Sequence, residues 1–379
     1  MDRALGSASA IDSEPLVLER VLPAYGGRCI TAAIPGLLAG VETELISDPV
    51  ASAPTVVMLV IDGLGWHQLR RNRSLAPVLA AANDRTPPIT TVAPSTTATA
   101  LTSLTTGAAP SEHGLVGYRV PTSLGLLNAL RWRAGGTDVR ASLPADELQP
   151  VVPFCGQPAA VVTRAEFRHS GFTMAHLRGS AFRGWREVNE IAECVFGAVA
   201  AGFRLVFAYY DTLDKVAHEF GLGDHYRAAL AEVERLAVEL RTGLPGDTPL
   251  IVTADHGVVE VLEPLVMIDP EVADLTTGWS GEARMLWLHA RPGAQRQLAG
   301  ACERYAALAE IAPVSQVLDE CWLGNHVSKA ARGRLGDVAL VPRGLQAFTM
   351  PDEDQPHHGL IGRHGGLTSE EMMVPFAQL

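Results

Sequence analysis

Two acid–imidazole pairs stand at metal-ligand spacing in this chain. In Asp214-Lys-Val-Ala-His218 the carboxylate and the ring are four residues apart, so one helical turn carries both on the same face. A divalent ion needs that convergence of oxygen and nitrogen donors. In Asp255-His256-Gly257 two donors are adjacent at a turn, and the glycine permits close backbone approach. Asp62, just before Gly63, and His364, within Gly362-Arg-His-Gly-Gly366, add donors of the same kinds. A donor set of carboxylates and imidazoles without thiolates suits zinc first and manganese second. Any one of these residues alone is a turn former, a helix cap or a surface imidazole. Several strand-end acids with imidazoles in reach are harder to explain that way. His364 is expected on a flexible glycine-rich loop able to fold over a site.

A hydroxyl cluster supplies the other half of a hydrolytic centre. The segment Thr90-Thr-Val-Ala-Pro-Ser-Thr-Thr-Ala-Thr-Ala100 precedes a run of Ala, Leu and Thr that reads as a helix over 96–106, ended by Gly107. A hydroxyl at a helix N-terminus faces unpaired amides and the positive end of the dipole, which favours phosphate. Coordination to a metal would lower its pKa and make it a nucleophile at neutral pH. On these grounds Ser95, Thr96 and Thr97 are equivalent candidates.

The elements that must position these groups are legible as short apolar runs. Thr55-Val-Val-Met-Leu-Val-Ile61 is rich in β-branched residues and fits a strand buried on both faces. It ends at Asp62. Phe203 to Tyr210 runs into Asp211 and Asp214, and Pro249 to Ala254 runs into Asp255 and His256. Pro88 to Val92 is a further strand candidate, a helix is expected from Tyr226 to Arg241, and later strands are expected over 284–289 and 337–341. Strands alternating with helices imply a mostly parallel sheet covered by helices on both faces. In such sheets ligands bind beyond the carboxyl ends of the strands, where every one of these acids falls.

Composition is that of a globular protein, 47% apolar and 19% charged. The formal charge of −12 argues against a broad nucleic-acid surface. Five scattered cysteines form neither a disulfide framework nor a thiolate metal site. The N-terminal stretch lacks the apolar core of a signal peptide, and no apolar run reaches the length of a membrane span. A cytoplasmic protein is therefore expected, acting on a small molecule. With no repeat or evident linker, the expectation is one catalytic domain over 1–379, with insertions 119–186 and 262–355 as cap or pocket walls.

These residues resemble the alkaline phosphatase superfamily, and within it the nucleotide pyrophosphatase/phosphodiesterase branch. The resemblance rests on Val60-Ile-Asp-Gly63, Pro94-Ser-Thr-Thr97, Thr106-Gly107, Pro110-Ser-Glu-His-Gly114, Tyr210-Asp-Thr-Leu-Asp-Lys-Val-Ala-His218, Asp255-His256-Gly257 and His364, in order along most of the chain. It implies a three-layer αβα sandwich with a mostly parallel sheet and a small cap. It also implies that Thr97 is the nucleophile and that two divalent ions, zinc by preference, form the cofactor. One ion would be held by Asp214, His218 and His364, the other by Asp62, Asp255, His256 and the Thr97 oxygen. Two ions about 3.5–4 Å apart can clamp the attacking and leaving oxygens of an in-line displacement. The implied reaction is hydrolysis of a phosphodiester or nucleotide pyrophosphate through a phosphothreonine.

The chain departs from that branch at Tyr118, where an Asn that contacts a phosphate oxygen is usual, so Tyr118 is a candidate substrate contact with different reach. Phosphomonoester or phosphonate hydrolysis by the same metal core is the second reading, and a binding protein on a hydrolase-like fold the third. A sulfatase would need a Cys/Ser-x-Pro-x-Arg motif, which is absent. Arg119, Phe154, Arg164 and Tyr210 are candidates to clamp or stack on a substrate. His113 is expected to be structural, and His357 and His358 to lie on a solvated loop near the entrance.

Overall fold

The six residues of strand β1 (Val56–Ile61) are all buried, as a run of Val, Met, Leu and Ile requires. Each such side chain contributes on the order of 1.5–3 kcal/mol by leaving water, so one charge in this run would break the sheet at its centre. The computed structural model describes residues 16–351 and 359–379. Around β1 stand β2 (Ala159–Arg164), β3 (Ala181–Trp185), β4 (Leu205–Tyr210), β5 (Leu250–Thr253) and β6 (Phe376–Gln378). Their order is β6-β5-β1-β4-β2-β3, parallel throughout except for β6, which runs antiparallel to β5.

Helix α1 (Thr97–Thr106) is buried along its whole length. It tolerates that because the Thr102, Thr105 and Thr106 hydroxyls donate to carbonyls four residues earlier, leaving those polar atoms partnered. Gly107 ends it at φ 70°, where a Cβ would come within 2.3 Å of Pro35. Helix α2 (Gly171–His176) follows β2, and α3 (Thr212–Phe220) starts directly after β4. Helix α4 (Asp224–Gly243) buries Tyr226, Leu230, Val233, Ala237 and Leu240, the stripe expected of an amphipathic helix.

A second sheet of eight antiparallel strands flanks the first, in the order 309–313, 338–342, 285–290, 276–282, 119–122, 125–128, 133–134, 137–138. The stretch 119–186 is thus divided, its first part joining this sheet while 159–164 and 181–185 enter the main sheet. Pro88 to Val92 shortens to Ile89–Thr90, which pairs with Met373–Val374 outside the main sheet. Among the described residues no helix is long and apolar enough to cross a membrane.

Candidate metal centre

Parallel register places the acids together. Val60 faces Thr253 on one side and Tyr209 on the other, so Asp62, Asp211 and Asp255 leave neighbouring strands at the same edge. Asp214 joins them one turn into α3. Gly63 makes room for it: at φ 73°, a Cβ there would lie 2.9 Å from Asp214 Oδ1. Gly257 permits a close backbone approach beside His256, since a Cβ there would meet the Glu370 carbonyl at 2.0 Å.

The histidines are held in one tautomer. His218 Nδ1 lies 2.7 Å from Gly362 O, His256 Nδ1 3.1 Å from Gly257 O, and His364 Nδ1 3.0 Å from Ser95 O. Donation to a carbonyl puts the proton on Nδ1 and leaves Nε2 with a lone pair, the arrangement found in metal-ligating imidazoles. His256 Nε2 lies 3.3 Å from Asp62 Oδ1, 3.4 Å from Asp255 Oδ2 and 3.1 Å from Thr97 Oγ1. His218 Nε2 lies 3.0 Å from Asp214 Oδ2, and His364 Nε2 3.9 Å from Asp214 Oδ1. Two sets of potential ligand atoms fall within 4.8 Å of one another: Asp62, Asp255 and His256, and Asp214, His256 and His364. His256 is common to both. His218 stands at the edge of the second set, paired with Asp214.

The electrostatics of this cluster call for cations. Asp62 Oδ1, Asp214 Oδ1 and Asp255 Oδ2 are buried with no hydrogen-bond partner. Burial, then the charges of Asp255 and Asp214, push Asp62 well above the carboxylate range; burial and Asp214 push Asp255 up to about 7. Burial opposes the charged form of Asp214 too, but His218 and His364 outweigh it and hold this carboxyl below its usual value. Burial would depress His218, yet Asp214 beside it raises it to about 9. His256 and His364 are lowered, chiefly by burial. Divalent ions would relieve the acid–acid repulsion and satisfy the three bare oxygens at once.

Thr97 opens α1, with Thr96 as the residue before it. The approach to the helix is stitched in place from several sides. Ser95 Oγ donates to Gly366 O at 2.7 Å and accepts from Gly365 N at 3.1 Å, and Thr91 Oγ1 donates to Asp255 O. Of the three hydroxyl candidates, Ser95 is therefore committed to backbone. Thr97 has its oxygen against His256, and Thr96 and Thr97 both line the cavity.

His364 does not sit on a free flap. Gly362–Arg363 pairs with Val259–Glu260, and the next turn is anchored by Glu371, which accepts from Gly366 N at 2.9 Å and Thr368 Oγ1 at 2.6 Å. Arg284 Nη2 meets the same carboxylate at 2.6 Å, both side chains fully buried. A glycine-rich sequence suggests mobility, but here the small residues allow close packing. His357 and His358 lie outside the described residues.

The cavity above the cluster holds about 580 Å³. Tyr118 and Arg119 line it, with Tyr118 Oη accepting from Asn128 Nδ2 at 2.6 Å. Phe154 packs edge-on against Phe207 in the core, Arg164 is taken up by Asp211 and Trp185, and Tyr210 stacks on Trp185. Those three belong to the scaffold. His113 is structural as expected: its Nδ1 accepts from Leu115 N and its Nε2 contacts Ser103 Oγ at 2.8 Å.

Two site residues carry no signal in the sequence. Tyr209 donates to Asp62 Oδ2, which only the β1–β4 register could reveal. Glu282, at the end of the strand Thr276–Glu282 in the second sheet, reaches the cavity beside Thr96 with its Oε1 unpartnered, and burial raises it to about 8.

Comparison with known proteins bears on this geometry. The sequence matches the family model of type I phosphodiesterase / nucleotide pyrophosphatase over residues 56–367. A search of curated proteins gives no match. Murine ectonucleotide pyrophosphatase/phosphodiesterase 5 shares the fold with a TM-score of 0.64 at 13% identity, over 86% of this chain and 87% of that one. The same figures hold for its inactive threonine-to-alanine form in complex with AMP. Phosphonoacetate hydrolase from Sinorhizobium meliloti 1021, in complex with phosphonoformate, gives a TM-score of 0.57 at 18% identity, over 86% and 89% of the two chains. The fold is alkaline-phosphatase-like, a mixed α/β architecture on a mostly parallel central sheet.

Proposed function

This chain belongs to the type I phosphodiesterase / nucleotide pyrophosphatase family, a family of phosphoester hydrolases, and from that premise we propose that it cleaves a phosphodiester or nucleotide pyrophosphate through a phosphothreonine on Thr97. The carrying observation is the convergence of three buried carboxylates, each with a bare oxygen, on imidazoles whose Nδ1 protons are fixed elsewhere. The residues fit two divalent ions. Asp214, His218 and His364 would hold one, and Asp62, Asp255 and His256, with the Thr97 oxygen, the other; His256 is near enough to both sets to bridge the assignment. Bound ions would supply charge neutralisation and Lewis acidity toward the phosphoryl oxygens. Zinc is the preferred identity and manganese the alternative.

The protein's own part is positioning. Thr97 Oγ1 attacks phosphorus in line with the departing oxygen: the Thr97 O–P bond forms, the bridging P–O bond breaks, and the hydroxyl proton passes by way of solvent to the leaving oxygen. The first-turn amides of α1 lie at the positive end of a helix dipole, suited to the phosphoryl oxygens. Tyr209 orients Asp62 by donating to the carboxylate oxygen turned away from His256. Water then attacks phosphorus, the Thr97 O–P bond breaks, and the hydroxyl regains a proton. The murine relative, inactive as a threonine-to-alanine form and solved with AMP, supports this reading in nucleophile type and substrate class.

Phosphonate or phosphomonoester hydrolysis is the second reading, favoured by Tyr118 in place of an amide and by the phosphonate-bound relative. Turnover of bis- and mono-(p-nitrophenyl) phosphate, a nucleotide pyrophosphate and an aryl sulfate by the metal-loaded protein separates the two. Preference for the diester or the pyrophosphate is expected; a preference for the monoester transfers the assignment to the second reading, and sulfate cleavage removes both.

A further inference from the structure

The cavity is far roomier than a phosphate needs and falls in the size range of sites that hold a small organic molecule. Away from the Asp/His cluster its wall is apolar, made by Leu101, Leu130, Phe172, Leu177 and Phe207. Polar side chains interrupt that wall, Thr163, Ser170, Thr173 and His176 among them. His176, at the end of α2, is 4% exposed and stacks on Phe172 with ring centroids 4.0 Å apart and planes at 23°. Its Nδ1 lies 2.7 Å from Phe172 O, so the ring proton is donated to backbone. Its Nε2 has no hydrogen-bond partner among the described residues, although the ring lines the cavity. Burial lowers the imidazole to about 4, which keeps it neutral at physiological pH. A neutral ring with its proton on Nδ1 offers Nε2 as an acceptor only. Thr163, 2% exposed, lines the same cavity.

We propose that His176 is a specificity-determining residue, reading one O–H or N–H donor on an apolar, ring-sized substituent of the phosphoester. The inference rests on the phosphoester reading above and names what the phosphorus carries. Leu101 and Phe172 and their neighbours hold the faces of the substituent, and Nε2 takes its donor. A site built around a buried acceptor rejects the analogue that lacks the donor, because the acceptor is then left unpaired and dry. Purely apolar groups of the same size are discriminated against for that reason.

The test uses benzyl- and phenethylphosphonates in matched pairs, ring hydroxyl against ring methyl at the meta and para positions. Their binding to the metal-loaded full chain is measured by calorimetry. At least one hydroxyl member is expected to bind about tenfold or more tightly than its methyl partner. That ratio should fall to about one in His176→Phe and survive in part in His176→Gln, whose amide oxygen can accept. No hydroxyl preference in the wild-type protein overturns the assignment without need of any variant, as does a preference that His176→Phe leaves intact. Turnover of the diester decides where a failure lies. With turnover present, equal binding removes only the role of His176; with no phosphoester turned over, the hydrolase reading falls and takes this inference with it.

Discussion

His256 and His364 stack face to face with ring centroids 3.6 Å apart and planes at 11°, although 108 positions separate them in the numbering of the chain. The stack joins two ligand sets into one centre: His256 contacts Asp62, Asp255 and Thr97, while His364 faces Asp214. Burial lowers both imidazoles and so favours their neutral, ligating form.

Replacing Thr97 by Ala is expected to reduce turnover of bis(p-nitrophenyl) phosphate by at least about 10³-fold, the scale of losing a nucleophile. Metal content, read by elemental analysis, should stay near two ions per chain, roughly as in the parent. A Thr97→Ala protein with near-parental activity, alongside an inactive Thr96→Ala, would move the nucleophile one position back.

Because His256 is common to both sets and His218 borders only one, the two alanine variants should differ. His256→Ala is expected to lose most of both ions, whereas His218→Ala keeps at least the ion near Asp62 and Asp255. Elemental analysis after dialysis reads the difference directly. Equal loss in both variants would argue against the shared position of His256.

Arg284→Met leaves the Glu371 carboxylate buried without its cation, a change that costs on the order of 3–5 kcal/mol. Glu371 also holds Gly366 N, so the same change should loosen the turn bearing His364. Denaturant unfolding is expected to show the loss of stability, and metal titration a weakened affinity. Full stability in Arg284→Met would mean that the pair only replaces an equally good apolar contact.

Acid sensitivity has an identifiable source outside the metal centre. His113 is held down to about 3 by burial and then Arg334, and His176 to about 4 by burial, from an ordinary value of 6.5. Below pH 6.5 the unfolded chain takes up protons that the folded one refuses, so stability falls as pH drops toward 4. Each ring accounts for on the order of 3 kcal/mol at the bottom of that window. His113→Gln should flatten the fall of unfolding free energy between pH 6.5 and 4 relative to the parent. An unchanged slope would show that His113 titrates alike in both states.

The strand-end acids were legible because β-branched apolar runs mark buried parallel strands and a carboxylate ends each run. Asp62, Asp211 and Asp255 stand out on that ground, and Asp214 by its four-residue spacing from His218. What was not legible depends on contacts far apart in sequence. Tyr209 looks like any strand aromatic until the register sets it beside Asp62. Glu282 reaches Thr96 from a different sheet. The strands 159–164 and 181–185 were hidden by weak signals: the first begins with two alanines and the second carries a Gly and an Arg. His364 stands out in the sequence as an imidazole donor, but its glycines read as freedom when they allow the turn to pack against Glu282 and Glu371.

The bond between His364 Nδ1 and Ser95 O spans 269 residues. Contacts of that reach form only after a long loop has closed, at an entropic cost that nearer contacts do not bear. The central sheet can begin to assemble from β1 to β5 while the chain is still emerging. The His364 imidazole and the antiparallel strand beside Asp255 come later in the chain than every strand from β1 to β5. Vectorial synthesis therefore delivers the acids before the imidazole and the strand that complete their surroundings.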